Sequence, residues 1–248
     1  MNIVVCISSV PDTTSKINFS ENGTTFDSSG IQFIINPYDE FGLTKAMILK
    51  ENSGGNVTVI TVGDATVEPV MRKALAIGAD QAVRINRNPK DSYSTATEIA
   101  KYLSENPADL IITGRESIDY NGGAVGGMIA EILNVPFVNA CNGLEIEGTT
   151  AKLSREIDGG KENLSVSLPL VIGGQKGLVE ESNLRIPNMR GIMQARTKPL
   201  QVIDPSNTDS LTTSEQFEKP AEKSVCKLVE AGNEAELVRL LQEEAKVI

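Results

Sequence analysis

The chain reads as an α/β protein: a doubly wound, mostly parallel sheet with antiparallel additions and a C-terminal arm ending in a helix. Three observations predict this. Short, uninterrupted apolar runs recur along the first two-thirds of the chain, as expected for strands buried on both faces by helices. Helical patterns separate those runs, the alternation that builds βαβ units. After about residue 140 the texture changes to hairpin-like spacings.

The predicted strands are Ile3–Ile7, Val57–Val62, Gln81–Ile85 and Leu110–Thr113, with Leu168–Gly173 later. Between them, Asp39–Lys50 distributes Phe41, Ala46, Ile48 and Leu49 around an amphipathic helix. Val67–Ile77 repeats Val70, Ala74 and Ile77 and stops at Gly78, a natural C-cap. Ser94–Ser104 adds Ile99, Tyr102 and Leu103, and Ala124–Leu133 is a further helix. Leu144–Ile146 and Ala151–Ser154 bracket Gly148, and Leu164–Leu168 follows Gly159-Gly160, so antiparallel strands are expected there. Residues 1–203 form the expected α/β domain. Residues 204–222 are rich in Ser, Thr, Pro and charge and read as an extended arm. The segment Glu234–Val247 is amphipathic, with Leu237, Leu240, Leu241 and Ala245 on one face. That face packs either on its own core or, reached across the arm, on a partner subunit.

Composition excludes several kinds of chemistry. The 248 residues carry 33 acidic and 23 basic side chains, a net charge of −10, which argues against a nucleic-acid groove. There is no histidine. Ser-His-Asp and Cys-His catalysis and His-ligated zinc are therefore absent, as is the usual proton shuttle near neutral pH. Cys6, Cys141 and Cys226 are far apart, form no CxxC pair and suit a reducing compartment. No basic leader precedes the first strand and no apolar run approaches the roughly 20 residues of a membrane span. A cytoplasmic protein of bacterial type, not inserted in the membrane, is the expectation.

The strongest chemical signal runs from Leu110 to Met128, LIITGRESIDYNGGAVGGM. An apolar strand ends at Gly114, a polar glycine-rich loop follows, and a helix begins. In an open α/β sheet ligands sit at the carboxyl ends of strands. Glycines let main-chain N–H groups approach phosphate oxygens, and a helix N-terminus favours the anion. The plainer alternative is a glycine-rich turn serving helix–strand packing, since the segment is neither GxGxxG nor Walker A. A second strand-end loop, Ile35-Asn-Pro-Tyr-Asp-Glu40, offers a Pro37-stiffened turn. Asp39 is expected to cap the following helix, which leaves open that Asn36 bonds a base or ribose or that Tyr38 offers a ring to a flavin. Glu116, Asp119, Glu156 and Asp158 are better read as turn carboxylates and arginine partners than as an acid/base pair.

Taken together, these segments resemble the β (small) subunit family of electron transfer flavoproteins over nearly the whole chain. Five pieces carry the resemblance in order: Asn36–Glu40, Arg72–Asp80, Gly114–Asp119, Arg155–Gly160 and Leu184–Arg196. It implies a Rossmann-like, adenine nucleotide α-hydrolase-like fold without catalytic residues of its own. It further implies AMP bound structurally in this chain and FAD held mainly by a larger α subunit. By matching positions, Cys6, Asn36, Pro37, Tyr38, Asp39 and Val62 would line the AMP pocket. So would Gly114, Arg115, Glu116, Ser117, Ile118, Asp119, Asn121, Gly122, Gly123, Ala124 and Val125. Ile186, Met189, Arg190, Ile192 and Met193 would match a recognition loop that docks on acyl-CoA or similar dehydrogenases, with Met189 the anchor. A polarizable, flexible Met suits brief contact with varied partners, and Arg185, Arg190 and Arg196 suit acidic ones. Packing of Met189 and Met193 in the core is the alternative. A membrane quinone oxidoreductase would be the electron acceptor. Flavin-bifurcating relatives hold a second FAD instead of AMP with a loop reading DGDTAQVG; here Asp119–Gly126 reads DYNGGAVG, without the Thr and Gln. A stand-alone adenine-nucleotide protein of the universal-stress type is the remaining alternative.

Overall fold

The structure, a computed structural model, describes residues 1–20, 22–206, 208–223 and 225–248. From the N-terminus, β1 (Asn2–Cys6) leads into two small hairpins, made by β2 (Ser9–Pro11), β3 (Asn18–Phe19), β4 (Phe26–Asp27) and β5 (Phe33–Ile35). Then come α1 (Pro37–Ser53), β6 (Asn56–Val62), α2 (Glu68–Ile77), β7 (Gln81–Ile85), α3 (Ser92–Glu105), β8 (Leu110–Gly114) and α4 (Val125–Leu133). The later part supplies β9 (Phe137–Glu147), β10 (Thr150–Ile157), β11 (Gly160–Ser167), β12 (Leu170–Gly174), α5 (Met189–Ala195), β13 (Leu200–Ile203) and α6 (Glu234–Leu240).

Nine of these strands form one sheet in the order β11-β10-β9-β12-β8-β1-β6-β7-β13. From β9 to β13 every neighbouring pair is parallel, while β10 pairs antiparallel with both β9 and β11. The chain moves outward from β1 through β6 to β7, then returns to place β8 on the other side of β1. That reversal is the switch point, where the outgoing loops diverge and leave a crevice.

Alternate residues of each central strand feed different layers, as the two-residue period requires. Ile3, Val5, Val57, Val59 and Ile112 pack with Leu43, Met71 and Leu75 of α1 and α2. Val4, Cys6, Ile60, Val62 and Ile111 pack with Ile99 and Ile129 of α3 and α4. Burial of each such side chain contributes about 1.5–3 kcal/mol, so a one-residue slip that turned a strand over would forfeit several at once. Gly42 brings α1 down on β8, for a Cβ there would lie 2.7 Å from Ile112 Cγ2.

The expected elements form, with shifted ends. Helix α1 starts at Pro37, whose missing N–H is no loss in a first turn, and α2 stops at Gly78 with φ +144°. Ala124 is the N-cap of α4 and lies outside the helix, and β12 begins at Leu170. Two predicted features change. Asp39 does not cap α1: Asn36 holds the N-cap position without a side-chain cap, and the Asp39 carboxylate is turned elsewhere. The C-terminal amphipathic segment is α-helical only to Leu240 and continues as a π turn over Leu241–Ala245; Leu240 is buried, but Leu237 of the same face is 45% exposed.

The arm is irregular but lies against the domain. Ser206 N–H donates to Glu98 Oε2 (2.8 Å), and Leu211 and Thr212 N–H donate to Asp91 Oδ2 (2.6 and 3.0 Å). Phe217 stacks on Phe19 with ring centroids 5.1 Å apart. Asp91 also caps α3 by accepting from Ser94 N–H at 2.8 Å. Partial desolvation pushes its carboxyl up, but the bonds from Ser94, Thr212 and Leu211 prevail and hold it at about 2. A depressed carboxylate stabilises above its ordinary range and loses that effect as pH falls through the folded value. Arm attachment should therefore weaken between about pH 4 and pH 2. Asp91→Ala should lower stability by about 1–2 kcal/mol in urea unfolding, the worth of a lost cap. It should also speed amide exchange at Leu211 and Thr212; unchanged exchange there would show that this carboxylate does not hold the arm.

Candidate functional site

The crevice at the switch point is built on one turn. Strand β5 delivers Asn36 between two strand ends that lie far apart in sequence, and Asn36 is 1% exposed. Its Nδ2 donates to Glu116 O (2.9 Å), and its Oδ1 accepts from Ile118 N–H (3.3 Å). Its backbone carbonyl accepts from Asp39 N–H (2.8 Å), an early bond of α1. One carboxamide thus ties the start of α1 to the glycine-rich loop after β8.

Asp39 completes the tie. Its carboxylate is 2% exposed, accepts from Ser8 N–H at 2.7 Å just past β1, and also accepts from Gly114 N–H at the end of β8. Gly114 is required by this packing: a Cβ there would overlap Asp39 Oδ1 and lie 2.9 Å from Tyr38 Cβ. Burial raises the Asp39 carboxyl to about 7; the bonds from Ser8, Asn36 and Gly114 pull it down, and nearby Asp119 adds to the rise. The Cys6 thiol beside it is pushed up by burial and by Asp39, so it stays protonated and unreactive.

The loop turns back on itself through Ser117 N–H to Gly122 O (3.0 Å), with Asn121 at φ +50° and Tyr120 exposed at the tip. Ser117 Oγ and Tyr120 N–H donate to Asp119 Oδ1. Gly123 passes close to the loop's first turn, where a Cβ would lie 3.0 Å from Arg115 O. Arg115 has its guanidinium 5.9 Å from the Tyr38 ring centroid, donates to Gln175 Oε1 (3.2 Å) and pairs with Glu116 (3.4 Å). Ala124 gives α4 no side-chain cap, so the first N–H groups of that helix are available to an anion. Gly126 holds the helix against the sheet, its missing Cβ 2.7 Å from Thr113 Oγ1. Val62 ends β6 in the same apolar layer as Cys6, on the α3/α4 side. The cleft of about 260 Å³ between α3 and β13 shares none of these residues.

The expected pocket residues thus gather at the carboxyl ends of β1, β6 and β8. Three contributors escaped the sequence reading: Ser8 through its backbone, Gln175, and Asn139. Gln175 directly follows β12, so the strand-end rule that singled out Gly114 applies to it as well; Asn139 lies early in β9, level with the end of β12 through the parallel pairing of the two strands. Among the described residues no group of His, Cys, Asp and Glu is arranged to hold a metal ion.

The chain matches known proteins over this region and beyond. Residues 23–208 match the electron transfer flavoprotein domain. The chain is similar to the electron transfer flavoprotein subunit beta of Bacillus subtilis, with 38% identity over 263 residues covering all of both chains. The corresponding subunit of Syntrophomonas wolfei is 33% identical over 90% of this chain and 88% of its own length. Protein FixA of Azotobacter vinelandii is 33% identical over 82% of this chain and 75% of its own. The chain belongs to the electron transfer flavoprotein β-subunit family. Like the other members it is a component of electron transport by flavoproteins, and among its described residues no helix is long and apolar enough to cross a membrane.

In this family member the segment expected to dock partners forms its own surface. Asn188 caps α5 by accepting from Gly191 N–H at 2.8 Å. Gly191 sits against Ala76 O with no room for a Cβ. Arg72 Nη1 donates to the carbonyls of Ala195 (2.7 Å) and Lys198 (2.8 Å), and Lys198 Nζ to those of Leu75 (2.9 Å) and Ala79 (2.6 Å). The helix is fixed from below while Ile186, Met189, Arg190, Ile192 and Met193 face outward; Met189 is 76% exposed and Met193 68%. Neither Met fills the core.

The buried Asp39 makes stability depend on pH. Its folded value of about 7 exceeds the ordinary 3.8, so the native state holds an extra proton between them. The stabilisation is complete below about pH 4 and is lost as pH rises through 7. Asp39→Asn cannot titrate and should gain on the wild type over this window by at most about 1.4 kcal/mol per pH unit. Urea unfolding at pH 5 and pH 8 measures the difference; parallel stability curves would show that Asp39 does not titrate in that range.

Proposed function

We propose that the chain is the β subunit of a heterodimeric electron transfer flavoprotein. It binds AMP structurally in the switch-point crevice and helps to enclose FAD held mainly by an α subunit. It docks acyl-CoA or similar dehydrogenases, whose electrons pass on toward a membrane quinone oxidoreductase. The observation that carries this reading is the glycine-rich loop after β8, tied by Asn36 and Asp39 to the end of β1 and followed by the uncapped start of α4. A nucleotide's phosphate fits that start, where backbone N–H groups and the helix dipole meet an anion without a lysine. FAD would supply the electron-carrying chemistry; this chain would supply a rigid wall, with Tyr38 the residue to face the flavin. The C-terminal segment supports an assembly role, because Leu237 and Val238 are left about half exposed by this chain. The chain is an electron-transfer component without catalytic residues of its own, working in the cytoplasm.

Counting nucleotides tests the reading. The co-purified heterodimer, denatured and analysed by chromatography, should release one FAD and one AMP. Two FAD per heterodimer would instead make this a bifurcating subunit. A colourless monomer or homodimer holding nucleotide alone would make it a stress-type adenine-nucleotide protein.

Docking is tested separately on α5. Met189→Ala removes the most exposed apolar side chain of that helix and should raise the KM for a dehydrogenase about tenfold, as expected for an interface anchor. Nucleotide content should stay unchanged. Transfer kinetics equal to wild type would remove Met189 from that role.

A further inference from the structure

We propose that Asn139 is a further nucleotide-binding residue, its side-chain oxygen accepting a hydrogen bond from an O–H or N–H donor of the bound nucleotide. The inference rests on the nucleotide reading above and extends it to β9, two strands away from β8. Among the described residues, Asn139 Oδ1 is the only buried side-chain polar atom without a hydrogen-bond partner. Leaving such an atom unpaired costs about 1–3 kcal/mol, and folded proteins avoid it with few exceptions.

Three features hold the atom where it is. The pairing of β9 with β12 shifts register between Ile172 and Gly174, the kind of irregularity that re-aims a side chain beside a functional site. Ala140, next in sequence, has φ +57°, a left-handed conformation that a residue with a Cβ adopts at a cost. In β12, Gly173 makes room, for a Cβ there would overlap Asn139 Oδ1 and would lie 3.3 Å from Arg115 Cα. The amide therefore lies beside the first residue of the glycine-rich loop, at the carboxyl end of the sheet.

Among the described residues none donates to this oxygen. The nearby Arg115 guanidinium is already engaged by Gln175, Glu116 and the Tyr38 ring. A phosphate ester at neutral pH carries acceptors, so it cannot satisfy an acceptor either. Sugar hydroxyls and the adenine amine can. AMP presents both, and FAD adds the hydroxyls of its ribityl chain, so the donor chemistry is shared and its source is decided by experiment.

The test uses the heterodimer stripped of nucleotide, with wild type, Asn139→Ala and Asn139→Ser titrated calorimetrically. The probes are AMP, 2′-deoxy-AMP, 3′-deoxy-AMP, purine riboside monophosphate and FAD. Asn139→Ala should bind AMP about tenfold more weakly, the effect of one neutral hydrogen bond. Against one analogue the loss should vanish, because wild type has already lost the same bond; that analogue identifies the donor. A loss seen with FAD but not with AMP would assign the donor to the ribityl chain. Wild-type affinity of both variants for every probe would overturn the proposal while leaving the AMP reading intact. An equal loss for every probe, with a lowered melting temperature of the stripped complex, would also overturn it, as the mark of a structural role. Failure of wild type to bind any probe would overturn the nucleotide reading and this inference together.

Discussion

The fold closes around one polar knot. Asn36 and Asp39, three residues apart at the start of α1, together bond Ser8 after β1, Gly114 at the end of β8, and the loop residues Glu116 and Ile118. Two adjacent parallel strands that diverge at a switch point cannot be joined there by sheet hydrogen bonds, so side chains must do it. Both side chains are almost completely buried, where an unpaired amide or carboxylate would cost several kcal/mol. Their bonds are consequently directional constraints. The loop after β8 can take only the course that satisfies them, and Gly114 is the residue small enough to let that course pass.

From this follows the electrostatic character of the crevice. It holds the uncapped start of α4, and the nearby Arg115 guanidinium is engaged in contacts of its own. Asp39 adds a buried carboxyl raised to about 7, so below that pH it contributes less negative charge than its residue type implies. Such a site meets an anion with fixed dipoles, which require no reorganisation. That suits the phosphate of the nucleotide proposed for it.

How much of this was legible in the sequence differs by element. The central strands and helices α1 to α4 could be read because burial on two faces enforces long apolar runs and strong periodicity, as in Val57–Val62 and Val70, Ala74 and Ile77. The small strands β2 to β5 could not. Their two or three residues make mainly backbone pairs, which leave little apolar pattern. Edge strand β13 is half exposed and lay hidden against the start of the arm. The crevice was located by a strand end and a cluster of glycines. The direction of the Asp39 carboxylate was not, because a local cap and a long-range bond to Ser8 demand the same residue type. Asn139 lacked any signal beyond its position, since a left-handed Ala140 is invisible in composition.

The outward surface at α5 follows an opposite physical logic. At the crevice, buried side chains fix a backbone; at α5, backbone carbonyls fix a helix whose side chains are left free. Arg72 and Lys198 each donate to two main-chain oxygens, linking α5 and the residues after it to the end of α2. Charge-assisted bonds of this kind are worth more than neutral ones and lock position without using the exposed apolar face. Met189 and Met193, four residues apart, therefore project from a rigid base with their own torsions unconstrained. A rigid base limits the entropy lost when a partner binds, while flexible thioethers adapt to partners of different shape. Brief contact with several proteins needs both properties. The sequence places them a few residues apart, with Gly191 bringing the helix close enough to α2 for the two to coexist.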